Sequence, residues 1–136
     1  RPSRGEDRSL ADKRKGHMVD DTAASRVLVR EGLQEIGIKN IAFASDGEQA
    51  LKQMMTQPSH LIISDFNMPK LDGLGLLRAI RKHGPTQKTP FIMLTGQGDK
   101  ELLQKAIQSG LNNYLTKPFT VPALKTALEA VVGQLK

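Results

Sequence analysis

Short apolar runs alternate with amphipathic stretches along most of the chain, the form that repeated strand and helix units on a parallel sheet take. Residues 25–36 place Val27, Leu28, Leu33 and Ile36 at helical spacing, with Thr22 as a candidate N-cap and Gly37 as the stop. Asn40–Ala44 reads as a short strand. Asp46-Gly47 then turns the chain into a helix through Met55 that carries Ala50, Leu51, Met54 and Met55, and Pro58 ends it. Leu61-Ile62-Ile63, closed by Ser64-Asp65, is the compact apolar run of a strand buried on both faces. The turn Met68-Pro69-Lys70-Leu71-Asp72-Gly73 leads into a helix to about Lys82, with Leu74, Leu77 and Ile80 inward. Pro90 introduces the strand Phe91-Ile92-Met93-Leu94, residues 100–109 form the next helix up to Gly110, and Tyr114-Leu115 is a short fifth strand. Thr120 as N-cap and Pro122 near the first helical position open a last amphipathic helix that runs to Leu135.

Counted in units, the first strand precedes Asp20 and must be drawn from Lys15-Gly16-His17-Met18-Val19. A central strand of a doubly wound sheet is buried on both faces and is ordinarily rich in Val, Ile and Leu. Gly16 and His17 depart from that pattern, so the expectation is a weak strand, open to detachment, that aliphatic residues at these two positions would strengthen.

A length of 136 residues limits the chain to one domain, or one domain with a tail, and is enough to bury a core without disulfides or a structural metal. The absence of cysteine excludes disulfide scaffolds, thiolate zinc sites and thiol catalysis, and agrees with a cytoplasmic protein. No apolar run approaches the ~20 residues of a membrane span, and the first 16 residues hold no hydrophobic stretch of signal-peptide type, so no membrane association is expected. The net charge of +6 invites a nucleic-acid partner, yet half of it lies in the polar leader, where Arg1, Arg4, Arg8, Lys13, Arg14 and Lys15 face Glu6, Asp7 and Asp12. Residues 1–14 therefore read as a flexible basic tail and 15–136 as the domain. With one Tyr and no Trp, a base-stacking platform is not expected.

Ligands of open α/β sheets bind where strands hand over to loops at their carboxyl ends. There the sequence places Asp20-Asp21, Asp65, Thr95 and Lys117-Pro118. Crowded carboxylates repel one another unless a cation neutralises them, and an all-oxygen donor set favours Mg²⁺ over zinc or copper.

The set Val19-Asp20-Asp21, Ser64-Asp65-Phe66-Asn67-Met68-Pro69, Leu71-Asp72-Gly73-Leu74, Leu94-Thr95 and Lys117-Pro118-Phe119 resembles the receiver domain of bacterial two-component response regulators, and within that family its single-domain chemotaxis members. The resemblance covers about residues 15–136. It implies a doubly wound, flavodoxin-like fold: a five-stranded parallel sheet in the order 2-1-3-4-5 with five helices. It implies Asp65 as phosphoacceptor, Mg²⁺ held by Asp20, Asp21, Asp65 and the backbone carbonyl of Asn67, and Thr95 and Lys117 as phosphate-binding groups. Thr95 and Tyr114 would form the switch, and Lys117-Pro118 a cis peptide. The implied partners are a sensor histidine kinase and a phosphorylation-dependent target such as the flagellar motor switch. A monomer is expected, with no catalysis beyond its own phosphorylation and dephosphorylation.

Two departures stand out beside the first strand. Gly96 follows Thr95 where the family commonly has Ala, and Gln97 comes next, so the rate of dephosphorylation does not carry over. The same chemistry would also serve a phosphorelay intermediate or a phosphate sink. A haloacid-dehalogenase-like phosphatase also uses Asp, Thr, Lys and Mg²⁺ but needs a second Asp two residues after its nucleophile, where this chain has Asn67. Gly73-Leu74-Gly75 is half of a dinucleotide motif and follows a turn rather than a strand. His17, His60 and His83 lack metal-ligand spacing, and no DNA-binding output domain is expected.

Overall fold

A computed structural model of the protein describes residues 15–19, 23–38, 40–68, 70–96 and 98–132; the expected tail, the Thr22 cap and the helix end at Leu135 lie outside the described residues. In chain order the elements are β1 (Lys15–Val19), α1 (Ala23–Glu35), β2 (Asn40–Ala44), α2 (Gly47–Thr56), β3 (Leu61–Asp65), α3 (Gly73–Lys82), β4 (Phe91–Thr95), α4 (Lys100–Gln108), β5 (Asn113–Thr116) and α5 (Val121–Val132), with one 3₁₀ turn at Gly84–Thr86. The strands form one parallel sheet in the order β2-β1-β3-β4-β5.

Because successive strand residues point to opposite faces, the sheet divides the core in two. Ile62 and Met93 pack on one side with Met54, Leu77 and Ala106. Ile63 and Leu94 pack on the other with Leu33 of α1 and Leu124 and Leu128 of α5. All five residues of β3 and all five of β4 are buried, as continuous apolar runs covered by helices on both faces require.

The strand boundaries and caps follow local chemistry. Asp46 Oδ1 accepts from the Gln49 amide and Asp72 Oδ1 from the Gly75 amide, each at 2.8 Å, and Thr120 Oγ1 accepts from the Ala123 amide at 3.2 Å. Gly37, at φ 93°, ends α1 in a Schellman turn: its amide donates to Gln34 O and that of Ile38 to Leu33 O. The inward stripe of α1 differs from expectation. It runs through Ser25, Val29 and Leu33, and Val27 is 53% exposed, because two residues along a helix rotate a side chain by about 200°. Met55 is likewise exposed beside the buried Met54.

The doubt whether the first strand forms is resolved: it is a paired, buried central strand. β1 pairs with β2 from Lys15↔Asn40 to Val19↔Ala44 and with β3 from Gly16↔Leu61 to Val19↔Ser64, and Gly16 through Val19 are buried. A Cβ added at Gly16 would meet Leu33 Cδ1 at 3.2 Å and Ile38 Cγ2 at 3.6 Å, so the missing side chain is replaced by neighbours that close in on the backbone. His17, fully buried, has polar partners: the Gln53 amide nitrogen donates to Phe43 O, which leaves Gln53 Oε1 to accept from His17 Nε2, and His17 Nδ1 accepts from the Ser59 hydroxyl at 3.2 Å. A satisfied buried histidine does not carry the desolvation penalty of an orphaned one.

Among the described residues, no helix is long and apolar enough to cross a membrane.

Candidate functional site

Asp65 is the last residue of β3 and Thr95 the last of β4, and the backbone carries the ladder one step beyond β5, where the Lys117 amide donates to Thr95 O at 2.7 Å. That bond holds Lys117 beside the end of β4, and the Lys117-Pro118 peptide is cis, as expected. The Lys117 ammonium reaches across to Asp65, Nζ to Oδ2 at 2.9 Å. The other carboxylate oxygen, Oδ1, accepts from the Phe66 amide at 2.8 Å. The Asp65 side chain is 11% exposed and that of Lys117 27%, so the pair is screened less than one in open solvent. One carboxylate is thus fixed in orientation by two donors, with an edge toward solvent.

The loop that follows is fixed just as closely. The Gly73 amide donates to Phe66 O at 2.9 Å, and a Cβ at Gly73 would lie 2.6 Å from Asp65 O, so α3 begins against the backbone of the site. Asn67 lies two residues beyond Asp65 and is exposed. Asp20 and Asp21 lie outside the described residues; they follow Val19 directly in sequence, and Val19 pairs with Ser64, the neighbour of Asp65. Among the described residues, no three His, Asp or Glu side chains form a metal-binding cluster.

Thr95 is buried and lines a groove of about 410 Å³ with Gly96, Asp99, Lys100, Leu103, Tyr114 and Thr116. Tyr114 stands at its rim, 43% exposed. Asp99, not singled out in the sequence, directly precedes α4. Its side chain makes no cap bond; Oδ2 turns back and accepts from the Gly96 amide at 2.8 Å. The structure thus brings Asp65, Thr95, Lys117 and Tyr114 to one edge and adds two backbone donors, at Phe66 and Gly96, that no side-chain motif could have announced.

An open doubly wound sheet with a buried carboxylate, a lysine and a hydroxyl at its carboxyl edge is the arrangement expected of a receiver domain. Residues 17–129 match the response regulator receiver domain, and the chain belongs to that family. It is 53% identical over 128 residues to "Probable chemotaxis protein CheY" of Rhizobium etli, covering 94% of this chain and 99% of that one. It is 33% identical to chemotaxis protein CheY1 of Helicobacter pylori, covering 85% of this chain and 94% of that one. Among solved structures it is similar to the chemotaxis response regulator CheY4 of Vibrio cholerae, with a TM-score of 0.79 at 33% identity, covering 87% of this chain and 98% of that one. The protein is therefore a CheY-like receiver domain.

Proposed function

We propose that the protein is a phosphorylation-activated response regulator that accepts a phosphoryl group on Asp65 from a sensor histidine kinase and then binds the flagellar motor switch. The observation that carries this is the Asp65 carboxylate itself, held at the sheet edge between the Lys117 ammonium and the Phe66 amide. The likeness to chemotaxis proteins supports the motor as target.

The donor set fits Mg²⁺: carboxylates at Asp65, Asp20 and Asp21 and the Asn67 carbonyl are all hard oxygens, and β1 ends beside β3. The bound cation would supply charge neutralisation between these carboxylates and an incoming phosphoryl group. The chain's own groups do the rest. Phe66 orients Oδ1 and Lys117 orients Oδ2, so one carboxylate oxygen is presented in line to phosphorus while the bond to the donor's leaving group breaks. Lys117 then transfers its contact from the carboxylate to a phosphoryl oxygen, and the Thr95 hydroxyl donates to another. With Thr95 drawn toward the phosphoryl group, room opens in the groove for the Tyr114 ring, which changes the face made by α4, β5 and α5. We place the protein in the cytoplasm and assign it no catalysis beyond its own phosphorylation and dephosphorylation.

Acetyl phosphate with Mg²⁺ should add one phosphoryl group by intact mass, and Asp65→Asn should abolish it; undiminished labelling of that variant rules out the assignment. A peptide from the amino terminus of the motor switch protein should bind the chain more tightly with beryllofluoride than without. Equal binding would remove the motor from the proposal.

A further inference from the structure

The groove beside Thr95 contains a carboxylate, that of Asp99, close along the chain to the Thr95 hydroxyl that the proposed chemistry brings to the phosphoryl group. In a parallel strand, successive residues turn their N–H and C=O alternately to the two neighbouring strands. Leu94 O accepts from the Phe66 amide on the β3 side at 3.2 Å, and Thr95 O accepts from the Lys117 amide on the β5 side at 2.7 Å. The next amide in that alternation, on the side where β3 ends in Asp65, belongs to Gly96. A phosphoryl group bound to Asp65 and met by the Thr95 hydroxyl has three anionic oxygens to satisfy, and this N–H is the next donor along the chain. In the structure it is already taken: Asp99 Oδ2 accepts from it at 2.8 Å, and the Asp99 amide donates back to Gly96 O at 3.3 Å, closing the turn.

We infer that the Asp99 carboxylate acts as a built-in competitor for the phosphoryl group, holding the Gly96 amide until a phosphoryl group on Asp65 displaces it. The inference deepens the proposed function and rests on it. Asp99 is a positioning residue here: it acts on the Gly96 amide and touches no reacting atom. Its side chain makes no bond to the start of α4, so the helix does not require the carboxylate for capping. A hydrogen bond to an ionised group is stronger than a neutral one, so the competitor weighs on uptake both by occupying the donor and by its charge. Because the groove also takes in Tyr114, release of Asp99 from Gly96 changes the charge lining the space beside that ring.

The test is labelling by acetyl phosphate at saturating Mg²⁺, followed by intact mass, on the full chain and on Asp99→Ala and Asp99→Asn. The acetyl phosphate concentration giving half-maximal labelling should fall about tenfold in Asp99→Ala, with a smaller fall in Asp99→Asn, which keeps an acceptor but loses the charge. A merely structural role for Asp99 predicts the opposite sign, since a loosened loop lowers labelling. If the parent chain is labelled and Asp99→Ala matches it or is labelled less readily, the competitor is overturned while the phosphoacceptor reading stands. If the parent chain takes up no phosphoryl group, the phosphoacceptor reading falls and the competitor falls with it.

Discussion

Gly16 lies where the side chain of Leu33 closes over β1, and the 3.2 Å approach of an added Cβ to Leu33 Cδ1 leaves space for a hydrogen and little more. Gly16→Val should therefore destabilise the fold by about 1–3 kcal/mol, the range for overpacking, and lower the melting temperature by several degrees. A rise in melting temperature would restore the view that the strand wants aliphatic residues. That view weighs the intrinsic entropy of glycine, about 0.5–1 kcal/mol, without the neighbours that use the gap. His17 was opaque for the same reason: its partners Ser59 and Gln53 are 42 and 36 residues away in sequence. Asp65, Thr95 and Lys117 were legible because each is a polar residue closing an apolar run, a pattern visible within a handful of neighbouring positions.

Helices α2 and α3 each begin at an aspartate cap followed by a glycine that abuts a backbone oxygen, so the cap and the glycine of such a pair carry different costs. A Cβ at Gly47 would sit 2.0 Å from the backbone oxygen of Leu71, in the loop between β3 and α3, whereas the Asp72 cap is exposed and makes a single bond to Gly75. Asp72→Ala should cost about 1 kcal/mol, the usual loss for a cap, and Gly47→Ala about 3 kcal/mol, near the upper end for overpacking, because backbone cannot rotate aside. Urea midpoints of the two variants measure both, and equal costs would mean that the loop yields more freely than the contact implies. The Asp-Gly pairs could be read in the sequence as turns into the two helices. The approach of Leu71 to Gly47 could not, since it joins the ends of two different strand-to-helix connections.

For the whole molecule, the sheet order brings the ends of β1, β3 and β4 side by side, so that Asp65 at the end of β3 stands next to the end of β1, which Asp20 and Asp21 follow in sequence. Mg²⁺ at a hundredfold excess over its Kd should stabilise the folded chain by about 2.7 kcal/mol through linkage. Asp21→Ala should remove most of the accompanying rise in melting temperature; an unchanged rise would place the cation elsewhere. The sequence by itself determined the order of the strands and helices, the Thr120 cap and the residues at the carboxyl ends of the strands, because periodicity, turn chemistry and capping act over a few residues. Tertiary structure alone decided that Gly16 and His17 lie in a central strand paired on both sides, that α1 turns Val29 rather than Val27 inward, and that Asp99 holds the Gly96 amide. The strand and the helix face depend on partners distant in sequence, whereas the Asp99 contact lies within four residues and depends on which way the loop after β4 turns its amide, which side-chain patterns do not encode.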